Sequence, residues 1–222
     1  MTMKILAAAL ALPALALTPS LAPLVAQTAP AAKAKPAPAA AASKLVTAGT
    51  YTVDPEHTMV GWRLNHFNVT DYFGIFGSIT GTLTINPANL NATKVDVTIP
   101  VSKVTTASAG LTAHLLKPAD PGKTPDFFGA NPADARFVST AVLANKAQNT
   151  ARITGNLTLN GITKPVVLNA KFNGAATNPM NQKLNIGFHA TGKIKRSDFG
   201  LTMAIPMVGD DVALDIVAAF EK

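Results

Sequence analysis

The chain from residue 49 onward is dominated by strict alternation of hydrophobic and polar positions. A period of two residues is the pattern of a strand that buries one face and exposes the other. The alternation is clearest at Val166, Leu168, Ala170 and Phe172. Similar runs lie at residues 59–67, 94–99, 152–159, 184–188 and 212–220. This pattern predicts about eight strands.

Short segments rich in turn residues separate these runs. They are Asn86-Pro87, Asn160-Gly161, Asn173-Gly174, Asn178-Pro179 and Gly209-Asp210. Only residues 107–117 carry a short helical stripe, and Pro118 ends it. Many strands with hairpin connections and one short helix predict an all-β, antiparallel fold. We expect the sheet to close into a barrel, because the apolar last strand needs a partner on both edges.

The first 26 residues have the order of a secretory signal peptide. A positive charge at Lys4 precedes an apolar run at residues 5–16, and small residues follow. A membrane-spanning helix needs about 20 apolar residues, which is longer than this run. We therefore expect residues 1–26 to be a signal peptide that directs secretion.

Residues 27–48 consist almost wholly of alanine and proline, with Lys33, Lys35 and Lys44 among them. No periodic apolar face can form there to offset the entropy of ordering. We expect a flexible linker at residues 27–48 and a single barrel domain at residues 49–222.

The basic net charge of +7 lies partly outside that domain. From residue 49 onward there are 15 basic and 12 acidic side chains, which leaves +3. So small an excess is weak evidence for nucleic-acid binding, and we expect none. The basic tail is compatible with transient contact with a membrane surface, and the sequence leaves both a monomer and a homodimer open.

The composition excludes several kinds of chemistry. Without cysteine there is no thiol nucleophile, no disulfide and no cysteine-based metal site. The chain also lacks the Gly-x-Ser-x-Gly motif of serine hydrolases. We therefore expect a binding protein rather than an enzyme, with no catalytic residues and no catalytic cofactor.

The aromatic complement is strongly apolar, with ten phenylalanines but one tryptophan and two tyrosines. The interior of a barrel must be filled by side chains or by a ligand. Phenylalanine and flexible methionine fit either role, since they line apolar cavities and also fill solid cores. The candidate ligand-binding residues are Phe67, Phe73, Phe76, Val97, Ile99, Leu111, Leu115, Phe127, Phe128, Phe137, Leu157, Phe172, Phe188, Phe199 and Met203.

Six motifs in order carry a resemblance that spans residues 50–222. They are YTVDPEHTMVGWRLNHF from Tyr51, FGIFGSITGT from Phe73, DFF from Asp126, ARFVST from Ala135, ITGNLTLNGITKPVVL from Ile153, and KIKRSDFGL from Lys193 followed by VGDDVAL from Val208. In these motifs the chain resembles the YceI-like family of secreted polyisoprenoid-binding proteins. The resemblance implies an extended, lipocalin-like, eight-stranded antiparallel barrel in the periplasm. It also implies a long pocket for the prenyl chain of a quinone or a polyprenyl phosphate.

Polar residues within these motifs are candidates for the lipid head group. We consider His57, Arg63, His66 and Arg196, because imidazole and guanidinium groups donate hydrogen bonds to carbonyl or phosphate oxygens. A metal site is not expected, because the closest two histidines are nine positions apart. His57 and His66 would converge only if the strand between them folded back, with Asp54 or Asp198 as the orienting carboxylate.

Two functions from different classes follow from the sequence. The leading hypothesis is a periplasmic protein that carries or sequesters an isoprenoid lipid in an apolar tunnel. The alternative is a solidly packed, stress-related interaction module without a ligand. A structure distinguishes them, because solid packing leaves no room for a lipid tail.

Overall fold

The computed structural model describes residues 42–222. The signal-peptide prediction and most of the linker prediction fall on residues 1–41 and lie outside the described residues. The strands are β1 (Gly49–Val53), β2 (Met59–His66), β3 (Thr70–Phe76), β4 (Thr80–Ile85), β5 (Lys94–Ile99), β6 (Val104–Thr106), β7 (Ala135–Asn145), β8 (Thr150–Leu159), β9 (Ile162–Thr177), β10 (Leu184–Lys195) and β11 (Asp211–Glu221).

All pairings are antiparallel, and the sheet closes because β1 pairs with β11. The 11 strands form eight barrel strands, three of which are interrupted. β1 and β2 lie one after the other along the edge of β11, and they face the consecutive strands β4 and β3. β5 and β6 continue the same arrangement, and β7 to β11 are uninterrupted. The predicted all-β, eight-stranded antiparallel barrel with one short helix is confirmed.

The seam between β1 and β11 depends on a side chain. Only Thr52 with Glu221 and Val53 with Phe220 pair there, and the chain then bulges away before β2 begins. The buried hydroxyl of Thr58 donates to the Ala219 carbonyl at 3.1 Å and accepts from the Ala219 amide at 3.0 Å. The hydroxyl thereby gives the Ala219 amide a partner where the ladder is interrupted, and the Ala219 carbonyl also accepts from the Asp54 amide at 2.9 Å.

The alternation in the sequence becomes the two faces of the barrel wall. On β9, Val166 and Ala170 are buried on the inner face, whereas Asn169 and Lys171 between and beyond them are exposed. The inner faces of the strands together form one hydrophobic core, which includes Tyr51 at 0% exposure. A strand with one half-buried face has this period because successive side chains point to opposite sides.

One α-helix, α1 (Ala109–Leu115), packs beside β6 at the end of the barrel where β7 begins. The Ser108 hydroxyl caps it by accepting a hydrogen bond from the Leu111 amide at 3.2 Å. Its last residue, Leu115, is buried, and the Leu115 carbonyl accepts from the Phe128 amide at 3.0 Å. The helix predicted at residues 107–117 is therefore present in a slightly shorter form.

Packed structure begins ahead of the predicted domain boundary at residue 49. Ser43–Leu45 form a 3-10 turn, and Val46 packs against the core. The Tyr51 hydroxyl donates to the Thr47 carbonyl at 2.9 Å. This bond holds the residues between the 3-10 turn and β1 against β1. Residues 42–48, which the composition assigned to the linker, are thus part of the barrel's end. Among residues 42–222, no helix is long and apolar enough to cross a membrane.

Candidate functional site: an apolar cavity open at one end

The barrel encloses a cavity of about 750 Å³. This volume is within the range of roughly 300 to 1,000 Å³ that ligand pockets occupy. The inner faces of all eight barrel strands contribute to its wall, and no Asp, Glu or His is among the described lining residues. A solidly packed interior, as the alternative hypothesis required, is not what the structure has.

The cavity opens at the end that carries the β7–β8 turn. Eight polar residues line it, and seven of them lie at this end. They are Ser43, Lys44, Thr93, Asn145, Lys146, Asn149 and Thr150. The eighth is Thr58, whose hydroxyl is already bonded to Ala219. The wall is therefore apolar, and hydrogen-bonding groups are concentrated at the mouth.

The opposite end is filled by buried side chains. Phe199, at 1% exposure, and Leu201, at 5%, lie in and just after the 3-10 turn Arg196–Phe199 and belong to the core. The Asn160 side chain donates to the Phe199 carbonyl at 3.0 Å and ties this turn to the β8–β9 connection. The site is therefore a blind tunnel with one mouth.

A row of four small residues widens the tunnel near the mouth. Ala144 lies opposite Ala151, Ala151 opposite Ala170, and Ala170 opposite Ala190, across β7, β8, β9 and β10. All four line the cavity. Because alanine ends at its Cβ atom, four such neighbours in register leave the space that larger side chains fill elsewhere in the barrel.

Seven of the residues predicted to bind a ligand line the cavity. They are Phe76, Val97, Ile99, Phe137, Leu157, Phe172 and Phe188. The Phe172 and Phe188 rings meet edge to face with 5.6 Å between centroids, and Phe220 continues the series at 6.1 Å from Phe188. These rings form one apolar side of the tunnel, since edge-to-face packing leaves ring surface free to contact a guest.

The other eight predicted residues do not line the cavity. Phe67, Phe73 and Met203 are exposed at 53%, 61% and 42%. Leu111, Leu115, Phe127 and Phe128 belong to α1 and the segment after it, and Phe199 is in the core at the closed end. Phe73 and Phe76 illustrate the reason: they are three residues apart on β3, so they must face opposite sides of the sheet.

None of the four head-group candidates reaches the cavity. His57 is in the bulge after β1, with its side chain 75% exposed and bonded to Asp54 at 2.7 Å. Arg63 faces outward beside Asp71, and the His66 ring packs edge to face on Phe67 at the closed end. These three candidates therefore contact other surface groups rather than the tunnel.

Arg196 is buried and holds the loop at the closed end together. Its guanidinium donates to four backbone carbonyls, those of Leu201, Met203, Val208 and Gly209, at 2.7 to 2.9 Å. Burial lowers the pKa of Arg196 from its ordinary value, because the charged form loses hydration. Its role is therefore structural.

The carboxylate that does act at this turn is Asp210. It accepts hydrogen bonds from the Ser197 amide at 2.9 Å and from the Ser197 hydroxyl at 2.8 Å. Partial burial alone would raise the pKa of Asp210, but these hydrogen bonds and the neighbouring Lys195 outweigh it and lower the pKa below its ordinary value. The contacts in the turn at the closed end therefore favour the ionised form of Asp210.

The histidines do not form a joint site. His57, His114 and His189 each pair with a different aspartate, at 2.7, 2.9 and 2.8 Å. His57 and His66 stay far apart because β2 runs straight between them for eight residues. Within residues 42–222, no group of three or more potential metal ligands lies together.

The mouth residues were missed by reasoning from the sequence alone. Lys44 falls in the alanine- and proline-rich segment, and Lys146 and Asn149 are in a turn. The alanine row was detectable in part, because Ala170 continues the inward alternation of Val166 and Leu168. The same parity, applied strand by strand, would have placed most of the wall.

Comparison with known proteins agrees with this architecture. The family model described as "YceI-like domain" matches residues 51–220. Protein YceI of Salmonella newport (strain SL254) is 38% identical over 183 residues, which cover 79% of this chain and 91% of that protein. Protein YceI of Salmonella arizonae matches at the same identity and coverage.

Solved structures give the same fold. The Campylobacter jejuni YceI protein has a TM-score of 0.57 at 29% identity and covers 71% of this chain and 89% of its own. Burkholderia cenocepacia BcnA has a TM-score of 0.61 at 23% identity, with 75% and 98% covered. A polyisoprenoid binding domain from Saccharophagus degradans, implicated in plant cell wall breakdown, has a TM-score of 0.51 at 16% identity, with 77% and 97% covered. The extent of the family match and the identity to the Salmonella proteins show that this chain belongs to the YceI-like family.

Proposed function

We propose that this protein carries or sequesters an isoprenoid lipid in the periplasm, with the tail inside the barrel and the head group at the mouth. The observation that carries the proposal is the blind apolar cavity of about 750 Å³, which has seven of its eight polar lining residues at its open end. The relative from Saccharophagus degradans, which shares the fold, is named for polyisoprenoid binding and supports the same ligand class.

The wall supplies the binding energy in this arrangement. Burying one methylene-sized group contributes about 0.8 kcal/mol, so a five-carbon prenyl unit contributes roughly 3 to 4 kcal/mol before the costs of association. A few units are enough for tight binding. Affinity then depends on how much of the tail fits, and few polar contacts are needed.

The head group lies at Lys44, Lys146 and Asn149 in this proposal, and not at the four residues first considered. Ammonium and amide groups donate hydrogen bonds, and the head groups of both quinones and polyprenyl phosphates present oxygen acceptors. The mouth therefore accommodates either class of isoprenoid, and the tail is the feature that both share.

The protein binds its ligand without transforming it in this proposal. The described wall offers no carboxylate and no imidazole to act as a general acid or base. Any redox chemistry would belong to a bound quinone. The lipid is then a cargo and not a catalytic cofactor.

Secretion through residues 1–26 and a transient encounter with a membrane complete the proposed cycle. A periplasmic lipid carrier must collect its cargo from a bilayer and release it again, because long prenyl tails are insoluble in water. The protein acts as a monomer or homodimer in this proposal, since one barrel already contains a complete cavity.

The decisive experiment is to purify the protein from the periplasm without detergent and extract it with organic solvent. Mass spectrometry of the extract should detect an isoprenoid lipid. Protein emptied by the extraction and refolded should then take up ubiquinone or a polyprenyl lipid. A preparation that is empty and takes up neither lipid contradicts the proposal.

A pair of variants separates the tunnel from the surface. Phe188→Asp places a charge in the apolar wall and should abolish uptake, because an unpaired buried carboxylate is costly. Phe73→Asp makes the same change on the exposed outer face and should leave uptake unchanged. Circular dichroism establishes that both variants are folded, and equal loss of uptake in folded forms of both would contradict the proposed site.

A further inference from the structure

The end of the barrel that contains the cavity mouth carries the whole charge excess of the described domain. We define the mouth rim as residues 42–48, 86–94, 146–149, 178–183 and 221–222. Residues 42–222 contain 16 basic and 12 acidic side chains. Five of the basic ones and one of the acidic ones lie in the mouth rim, so the remaining barrel holds 11 of each.

Four of the rim lysines have no acidic partner among the described residues. Lys183 pairs with Glu221, the one acidic side chain of the rim. Lys222 donates to the Ala48 carbonyl at 2.9 Å and lies over the Tyr51 ring. The other three, for which the structure gives no ion pair, are Lys44, Lys94 and Lys146. The rim is thus a cluster of uncompensated positive charge.

Four of the seven lysines elsewhere in residues 42–222 form an ion pair with an aspartate. Lys193 and Lys195 contact Asp211 at 3.1 and 3.3 Å, and Lys117 contacts Asp120 at 3.7 Å. The charge excess of the mouth rim therefore has two sources: the rim holds five of the 12 described lysines, and it holds only one carboxylate, Glu221.

Two apolar side chains project from the same rim. Met180 is 93% exposed in the β9–β10 turn, and Leu45 is 48% exposed in the 3-10 turn before β1. Apolar side chains that stand among lysines match a bilayer surface, where the apolar groups enter the interface and the ammonium groups meet anionic lipid head groups.

We propose that the mouth rim docks onto the surface of an anionic bilayer, so that the tunnel opens directly toward the membrane. The inference rests on the proposed function in one respect, namely that the cavity holds a lipid tail. Docking in this orientation lets a tail pass between bilayer and tunnel without being exposed to water. The charge complementarity favours an anionic bilayer over a zwitterionic one.

The far end is too distant to contribute to this attraction. The longest strand, β9, has 16 residues, which at about 3.3 Å each span roughly 50 Å along the strand. Electrostatic attraction falls off over about 8 Å at physiological salt. Charges at the closed end therefore do not reach a membrane that contacts the rim.

The test is co-sedimentation with vesicles of phosphatidylcholine, with and without phosphatidylglycerol. The wild-type protein should bind the phosphatidylglycerol vesicles at low salt, and high salt should weaken binding. Each lysine near an anionic surface changes partitioning about fivefold, so Lys94→Gln with Lys222→Gln should weaken it about 30-fold. Neither residue lines the cavity.

Matched controls carry the same charge change at the closed end. Lys123→Gln with Lys164→Gln should alter partitioning less than about twofold. Met180→Asp should weaken binding tenfold or more, whereas Met207→Asp, which alters another exposed methionine, should not. All of these proteins share residues 1–41, so differences between them report the barrel alone.

The outcomes distinguish docking from lipid carriage. Equal partitioning of the rim and control variants, or no binding to phosphatidylglycerol vesicles at low salt, overturns the docking surface. The isoprenoid content of each preparation is measured by mass spectrometry in parallel. If the protein contains isoprenoid but does not bind vesicles, the proposed function stands and the docking inference is overturned. If the protein contains no isoprenoid but binds vesicles through the rim, the docking surface stands and the proposed function is overturned.

Discussion

Filling the alanine row tests where the tail lies. Ala170 and Ala190 face each other across β9 and β10, and both line the cavity at 8% exposure. Each Ala→Leu change adds three carbon atoms, about 80 Å³ at the packing density of a protein interior, so Ala170→Leu with Ala190→Leu would take on the order of 150 Å³ of the cavity of about 750 Å³. The cavity then has room for about one prenyl unit fewer.

The two effects of this double variant have opposite signs. Displacing one five-carbon unit forfeits part of its roughly 3 to 4 kcal/mol, and a net loss of about 2 to 3 kcal/mol weakens binding about 30- to 150-fold. Filling an apolar void stabilises a fold by about 0.5 to 2 kcal/mol per site. Lipid affinity should therefore fall while the free energy of unfolding rises.

Titration with a water-dispersed isoprenoid measures the affinity, and urea unfolding followed by circular dichroism measures the stability. The matched control is Ala141→Leu, which adds the same atoms at an exposed position on β7. It should change neither quantity. A double variant that is more stable and binds with unchanged affinity would show that the tail does not cross the alanine row. A less stable variant would show that the row is already closely packed.

Three further predictions concern the groups that keep the barrel closed. Thr58→Val keeps the side-chain shape but removes both bonds to Ala219, and should lower the free energy of unfolding by about 1 to 3 kcal/mol in urea titrations. Arg196→Met leaves one buried and three partly buried carbonyls without this donor and should cost about 3 to 5 kcal/mol by the same assay. The pKa of Asp210 is lowered by its bonds to Ser197, so its contribution is complete above the ordinary value of 3.8 and is lost as the pH falls below that value, and Asp210→Asn should flatten this acid dependence of the urea midpoint.

Exposed counterparts serve as controls for these three changes. Thr84→Val removes a hydroxyl that bonds only the exposed Thr50, and Arg152→Met and Asp120→Asn alter exposed charges. Each should change stability by less than about 0.5 kcal/mol. If a core variant and its control unfold at the same midpoint, the corresponding side chain does not have the role assigned to it.

The sequence predicted the barrel well because its signal was repeated along every strand. On β9 the inward positions Val166, Leu168, Ala170 and Phe172 read directly as a strand. The interruptions were not predictable in the same way. Where the Thr58 hydroxyl bonds to the Ala219 backbone, a pattern of apolar and polar residues contains no trace of the bond.

The site was predicted less well, for two physical reasons. The number of phenylalanines does not tell which of them face inward. Alternation along β3 does, because it places Phe73 and Phe76 on opposite sides of the sheet. Empty space is also made by what a residue lacks. Ala170 and Ala190 leave room in the tunnel because their side chains are small. A search for large apolar side chains therefore does not find them.

Arg196 shows how the polar groups at the two ends of the barrel differ in their roles. From the sequence, the Arg196 guanidinium is a candidate to bind the lipid head group. In the structure its four hydrogen bonds instead go to backbone carbonyls of the loop that holds Phe199 and Leu201 in place. At the closed end the polar groups of Arg196 and Asp210 bond to the loop itself, and the described residues outside the mouth rim hold equal numbers of basic and acidic side chains. The mouth keeps polar groups that point at the cavity and an excess of lysine. A lipid can then enter only through the mouth and only tail first, because the apolar wall rejects a polar head group at every level below the alanine row. With the tail in the tunnel, as we propose, the head group remains at the rim, where the proposed docking brings it to a membrane surface.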